Sequence, residues 1–290
     1  MKMIFYTPVY GGSDGFGAAS FGFAGAEDEN ALNKVICPIE IEGVILSGTY
    51  EECLKNVPDE KWQAGIVLLG NAGNENNFIK ALSEKTRVPL VGGSAAINAL
   101  TGEKGLIAGR GEAAVFLIND SRYDFEVISE NIHDVLSEHK ISFSGRWINE
   151  IDDCDAKEWI LKQKEKYGIK KDDFEHLTLS DAYGINAHLS EVDGRIFSGR
   201  DLSETMYLRY IAHDKVQGKI QRFYDDKDAI IFGCAGLKGI LDSGLECPGM
   251  GLFMFGEVCT ISGHSDFGNL MLSKLRIRHR YINEQGHMGI

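Results

Sequence analysis

The chain has 290 residues, with 30 Lys+Arg against 43 Asp+Glu and a formal charge of −13. Such an acidic surface forgoes the counterion release behind nucleic-acid affinity and repels anionic lipid heads, so neither nucleic acid nor membrane is an expected partner. A hydrophobic share of 43% and a charged share of 25% belong to a globular chain, too apolar for disorder and too mixed for a fibre.

The opening run Met1–Pro8 is too short and too soon interrupted for a secretory leader, and no stretch of about 18 apolar residues follows, so a cytoplasmic location is expected. Met3–Val9 has the composition of a strand. Gly11–Ser20 contains G-x-G-x-x-S, but it lacks the third glycine and the following helix of a dinucleotide fingerprint, so residues 11–25 are expected to form a flexible loop. Val44–Ser47 predicts a strand, and Thr49-Tyr50-Glu51-Glu52 has the form of a capping box for a helix to about Val57. The apolar run Ala64–Gly70 predicts a buried strand. Asn74–Thr86 places Phe78, Ile79 and Leu82 on one helical face, and Val88–Val91 predicts a strand ending at Gly92-Gly93. Strand, helix and strand in this spacing form a βαβ unit with parallel strands, whose following loop is the usual ligand position. Ala113–Ile118 is a further strand, while Phe125–Phe143 alternates too loosely to assign.

Around Asp152–Asp155 the composition turns acidic, which places a boundary between two closely associated halves, residues 1–150 and 151–290. Asp155 and Glu158 predict the start of a helix that runs through Tyr167 and buries Trp159 and Ile160. Strands are expected at Thr178-Leu179 and Ile185–Leu189, a hairpin at Asp193-Gly194, a strand at Met206–Ile211 and a helix over Asp214–Tyr224. Asp228–Gly233 reads as a buried strand leading to Cys234, and Ala235–Leu241 as a short helix. Leu252–Ile261 and Asn269–Ile277 form the last strands, joined by the polar turn Ser262–Asp266. The basic and apolar alternation of Lys274–Arg280 fits a strand with one solvated face, and no internal repeat is evident.

Several residues could carry chemistry. Gly92-Gly93-Ser94 could be a tight structural turn, a cradle whose bare amides and hydroxyl hold an anion, or a nucleophile elbow that departs from G-x-S-x-G at Ala96. Cys234, between a strand and the expected helix, could be a packed thiol or one activated by the helix dipole. His264 lies in a polar turn, where it could be solvated or face a cleft. Arg195 and Arg200 could meet a carboxylate ligand or remain surface residues. The six cysteines are scattered, with no C-x-x-C, and there is no His pair at ligand spacing, so no disulfide framework or metal site is signalled and no cofactor is expected.

Two stretches resemble the FIST domain family, which has FIST-N and FIST-C parts. Arg87–Ala96, preceded by the strand and helix of Gly65–Leu82, is similar to a FIST-N core in which a strand delivers a G-G/C-S-x-A turn. Ile230–Gly236, Gly251–Val258 and His264 to Asn269 are similar to the end of FIST-C, with its strand-borne cysteine, G-F-x-x-G-E-I signature and asparagine before the last strand. The likeness covers roughly residues 64–120 and 228–277, and Ala235-Gly236-Leu237-Lys238 departs from the family's arginine and glycine after the cysteine. The resemblance places Cys234, Gly256, Glu257 and Asn269 on motif positions. It implies a mixed α/β fold of two packed β-sheets covered by helices in layers. It also implies a cytoplasmic sensory domain for small ligands such as amino acids or related polar metabolites, signalling through a partner protein or a homo-oligomer. Gly92, Gly93, Ser94, Cys234, Gly256, Glu257, His264 and Asn269 are then the expected ligand-binding residues. The rival expectation is a hydrolase using Ser94 or Cys234 with His264.

Overall fold

A computed structural model of the chain describes residues 2–6, 22–25, 39–70, 73–95, 111–168, 177–212, 216–226, 228–234, 250–254 and 256–280. The Gly-rich segment 11–20 and the expected helix Ala235–Leu241 lie outside these residues.

The first strands are β1 (Lys2–Tyr6), β2 (Gly22–Gly25) and β3 (Ile39–Thr49). β3 passes directly into α1 (Tyr50–Lys55). Thr49 Oγ1 accepts from the Glu52 amide at 3.2 Å, and Glu52 Oε2 accepts from the Thr49 amide at 2.8 Å, the reciprocal capping that the spacing predicts. β4 (Ala64–Gly70) and α2 (Glu75–Thr86) follow, with Phe78, Ile79 and Leu82 buried as the helical period requires. β5 (Leu90–Ala95) returns parallel to β4, Ile66 opposite Val91. It does not stop at Gly92-Gly93 as expected, because both glycines remain paired and the strand runs on through Ser94. β6 (Glu112–Ile118) lies between β3 and β4, antiparallel to both.

The unassigned stretch Phe125–Phe143 resolves into β7 (Tyr123–Glu130), β8 (Asp134–His139) and β9 (Ile141–Ser144), which belong to three different sheets and are only partly covered. β10 (Trp147–Ile151) and β11 (Cys154–Asp155) lead to α3 (Ala156–Tyr167), whose N-terminus is capped by Asp155 Oδ1 accepting from the Glu158 amide at 3.0 Å. β12 (Leu177–Ser180) is followed by β13 (Asn186–Ala187) and β14 (Leu189–Val192), two short strands where one was expected. β15 (Arg195–Ser198) pairs with β14 across Asp193-Gly194, whose φ values of 51° and 74° are those of a primed hairpin turn. β16 (Tyr207–Ala212), α4 (Val216–Tyr224) and β17 (Ala229–Cys234) come next.

The expected single strand Leu252–Ile261 is two, β18 (Met250–Met254) and β19 (Glu257–Ile261), which join different sheets on either side of Gly256. The expected polar turn narrows to Ser262-Gly263, since β20 (His264–Gly268) is itself a strand paired with β19, and β21 (Leu272–His279) closes the described chain. The class is mixed α+β. An eight-stranded sheet runs β2-β1-β3-β6-β4-β5-β19-β20, and three smaller ones run β18-β17-β21-β7, β13-β12-β16-β8 and β11-β10-β15-β14, with β9 on β10. Pairing crosses residue 150, since β7 lies against β21 and β8 against β16. No helix among the described residues is long and apolar enough to cross a membrane.

A repeat invisible in the residues is present in the topology. The order β5-β4-β6-β3 recurs as β18-β17-β21-β7, with the first pair parallel and the others antiparallel in both. Ile66 lies opposite Phe116, itself opposite Ile45, just as Ile230 lies opposite Leu275, itself opposite Val127. All six residues belong to one core. A second core joins β4, β5 and β6 to α1 and α2 through Tyr50, Leu69, Phe78 and Leu82, and a third joins β17 to α4 through Ile231, Ile220 and Phe223. A fourth, around Trp159, Leu179, Ile196 and Leu208, belongs to the segment between β7 and α4. Each core withdraws several large apolar side chains from water, at roughly 1.5–3 kcal/mol apiece.

Candidate functional site

The site is built where β19 joins β5. Glu257 lies opposite Gly93 and Val258 opposite Gly92, and the Ser94 amide donates to the Gly256 carbonyl at 2.9 Å. Two glycines permit this approach. Gly92 has φ 138° and a Cβ there would strike the Val67 carbonyl, while Gly256 has φ 115° and a Cβ there would strike the Phe267 ring. Gly92→Ala should therefore lower unfolding free energy by roughly 2–4 kcal/mol in a urea titration. A loss below about 0.5 kcal/mol would show that the strand junction yields easily.

The pleat then sorts the side chains. Residues in register share a face, and successive residues alternate between faces. Gly93, and with it Glu257, is in register with Leu68, which packs in the core shared with β17. Ser94 is in register with Leu69, which packs against α1 and α2. Glu257 and Ser94 thus point to opposite faces of the sheet. The expected anion cradle is not formed: Gly92, Gly93 and Ser94 lie within a paired strand, and the Ser94 amide is spent on Gly256. The Ser94 hydroxyl is wholly buried, with no hydrogen-bond partner among the described residues.

Three of the expected residues do come together. Glu257 has no exposed surface, and its Oε2 accepts from the Met271 amide at 3.1 Å. Its Oε1 has no hydrogen-bond partner, and no cationic side chain lies within ion-pair distance among the described residues. The Cys234 thiol, from the end of β17, lies close enough to ease the carboxylate's charge and donates to Asn269 Oδ1 at 3.6 Å. Asn269 is anchored by its amide, which donates to the Asn186 carbonyl at 2.9 Å. Burial outweighs these dipoles and pushes the Glu257 pKa up to about 8. Leu270, between Asn269 and Met271, has φ 56°, a conformation uncommon for a leucine and one that gathers at functional sites.

His264 is elsewhere. Glu257 pairs with Gly268 and Ile261 with His264, so the imidazole sits four residues along β20, roughly 13 Å from the carboxylate's level. Its ring stacks on Tyr183 at 4.2 Å, and its Nε2 is 3.8 Å from Asp266. The hydrolase expectation, which needed His264 beside Ser94 or Cys234, has no such geometry. Among the described residues, Asp181, His264 and Asp266 bring potential metal-ligand atoms within 4.8 Å of one another. The buried Arg200 guanidinium already holds both carboxylates, at 3.0 Å from Asp181 and 2.9 Å from Asp266, so a cation would have to displace it. Arg200 thus serves the protein's own acids instead of a ligand's, and Arg195 lies over the Trp147 ring at 4.4 Å.

Sequence reasoning missed Asn186, a buried side chain whose Oδ1 accepts from Asn131 and Ser180 and whose carbonyl anchors Asn269. An asparagine between Ile185 and Ala187 in a short apolar strand is the signal that could have found it. Comparison with family models and with characterised proteins returns no match for this chain.

Proposed function

We propose that this chain is a cytoplasmic sensory domain that binds a small polar metabolite, an amino acid or a relative of one, at the Glu257, Cys234 and Asn269 cluster. The observation that carries this reading is a carboxyl group wholly withdrawn from water with one oxygen lacking a hydrogen-bond partner among the described residues, an arrangement that costs folding free energy in the empty protein. The FIST-like residues of the sequence supply all three side chains. In the same reading the two four-stranded units are layered face to face with helices outside, and the cluster lies where their shared core meets the segment that carries Asn186. A ligand bridging these parts would favour one arrangement of them, and a partner protein or a second copy of the chain would read that arrangement.

A metabolite thermal-shift screen tests this, preceded by native mass spectrometry of the freshly purified protein. A true ligand at a hundredfold excess over its Kd should add about 2.7 kcal/mol of stability. A screen that spans amino acids, amines, organic acids and sugars and leaves the melting temperature unmoved would overturn the reading.

A further inference from the structure

Resting on that reading of the site, we infer that Glu257 is the receptor for a cationic primary amine, so that the ligand's ammonium group supplies the counter-charge which no described residue provides.

Three other acids that are at least partly withdrawn from water meet the chain's own cations. Asp181 meets Arg200, Asp120 meets Arg122 at 2.6 Å, and Asp226 meets Lys274 at 3.1 Å and Arg276 at 2.7 Å. Glu257 is buried more completely than any of these, yet no Lys, Arg or His among the described residues reaches it. What surrounds it is suited to an ammonium. Oε1 is an unsatisfied acceptor, and Asn269 Oδ1 is a second acceptor whose present donor is only a thiol. An ammonium offers donors to both oxygens, and charge-assisted bonds of this type are about twice as strong as neutral ones. The titratable groups facing the carboxylate are the Cys234 thiol from β17 and the Cys259 thiol of β19. Burial holds the Cys259 thiol well above its ordinary range, and neither thiol supplies a positive charge. Without a cation the carboxyl is kept neutral by burial, and with one it is ionised.

The test compares ethylammonium with its neutral and anionic counterparts, acetamide and propionate, on the wild-type chain and on Glu257→Gln, by thermal shift and calorimetry. The wild type should gain about 3 °C with ethylammonium at ten times its Kd and nothing with the counterparts, and Glu257→Gln should lose the response. Because glutamine keeps an acceptor for Met271, the variant's fold is checked by its unchanged near-ultraviolet circular dichroism. If the counterparts or other metabolites stabilise wild type and Glu257→Gln alike, the ligand site stands and the amine inference falls. If no compound of the broader screen stabilises either chain, the sensory reading itself falls.

Discussion

Replacing Glu257 with glutamine should make the protein more stable, and increasingly so as the pH rises from 5 to 8. The wild-type carboxyl has its folded-state pKa raised from 4.5 to about 8 by burial. An acid raised in this way contributes fully below its unfolded pKa. Above pH 4.5 the unfolded chain ionises while the folded one does not, so stability falls by about 1.4 kcal/mol per pH unit until the folded pKa is passed. Glutamine cannot ionise, and all other groups cancel in the difference between the two proteins. At pH 5 the variant should be near wild type, within the roughly 1 kcal/mol that an imperfectly paired amide costs. By pH 8 it should lead by something on the order of 4 kcal/mol. Urea titrations at pH 5, 6, 7 and 8 give this difference directly. A constant difference across the series would mean that Glu257 is already ionised in the empty protein, with a donor or a cation supplying what the described residues lack.

Removing Arg200 should be the most damaging single change at the other polar cluster. Its guanidinium is buried and donates to four groups at once: Asp181 and the Ile185 carbonyl through Nη2, and Asp266 and the Phe267 carbonyl through Nη1. Asp181 in turn accepts the Tyr183 and Ile185 amides, both at 2.9 Å, so the network ties the segment after β12 to the β19–β20 hairpin. Arg200→Met keeps the apolar stem but strands two acids, at a cost of roughly 3–5 kcal/mol. Arg200→Lys should recover only part of this, because a single ammonium cannot reproduce the fork. Combining Arg200→Met with Asp181→Asn and Asp266→Asn should recover more than lysine does, since the asparagine oxygens still accept the backbone amides and no charge is left unpaired. Equilibrium unfolding of the four proteins ranks them. A loss below about 1 kcal/mol for Arg200→Met would mean that water reaches the two carboxylates readily.

What could be read from the residues was what is local. The capping box at Thr49, the helix start at Asp155, the Asp193-Gly194 hairpin and the apolar run of β4 are each decided within a few positions, and each is present. What could not be read was pairing between distant strands. β7 meets β21 across about 150 residues of chain, and nothing in Tyr123–Glu130 specifies that partner. The same limit explains why the pairing of Gly92 and Gly93 with β19, far along the chain, was not foreseen. It also explains the break at Gly256, where one apolar run serves two sheets. The repeated four-strand order escaped notice because the two copies share which positions are buried, not which residues fill them: Phe116 in one corresponds to Leu275 in the other.

The candidate site divides along the same line. Cys234, Glu257 and Asn269 were singled out and do meet, while Gly92 and Gly256 permit close backbone approach at the junction of β5 and β19. Ser94 was separated from them by the pleat and His264 by the hairpin's length, both consequences of registers that no single segment contains. Asn186 was missed because its importance lies in the carbonyl it offers to Asn269, a backbone contact blind to side-chain identity.

The most direct measurement is the carboxyl carbon resonance of Glu257, observed by NMR in protein labelled at the glutamate side-chain carbonyl and assigned by its disappearance in Glu257→Gln. In the empty protein the resonance should titrate near pH 8, and at pH 7 ethylammonium should move it to the ionised position. A resonance that titrates with the exposed glutamates near pH 4.5 and ignores the amine would contradict the account.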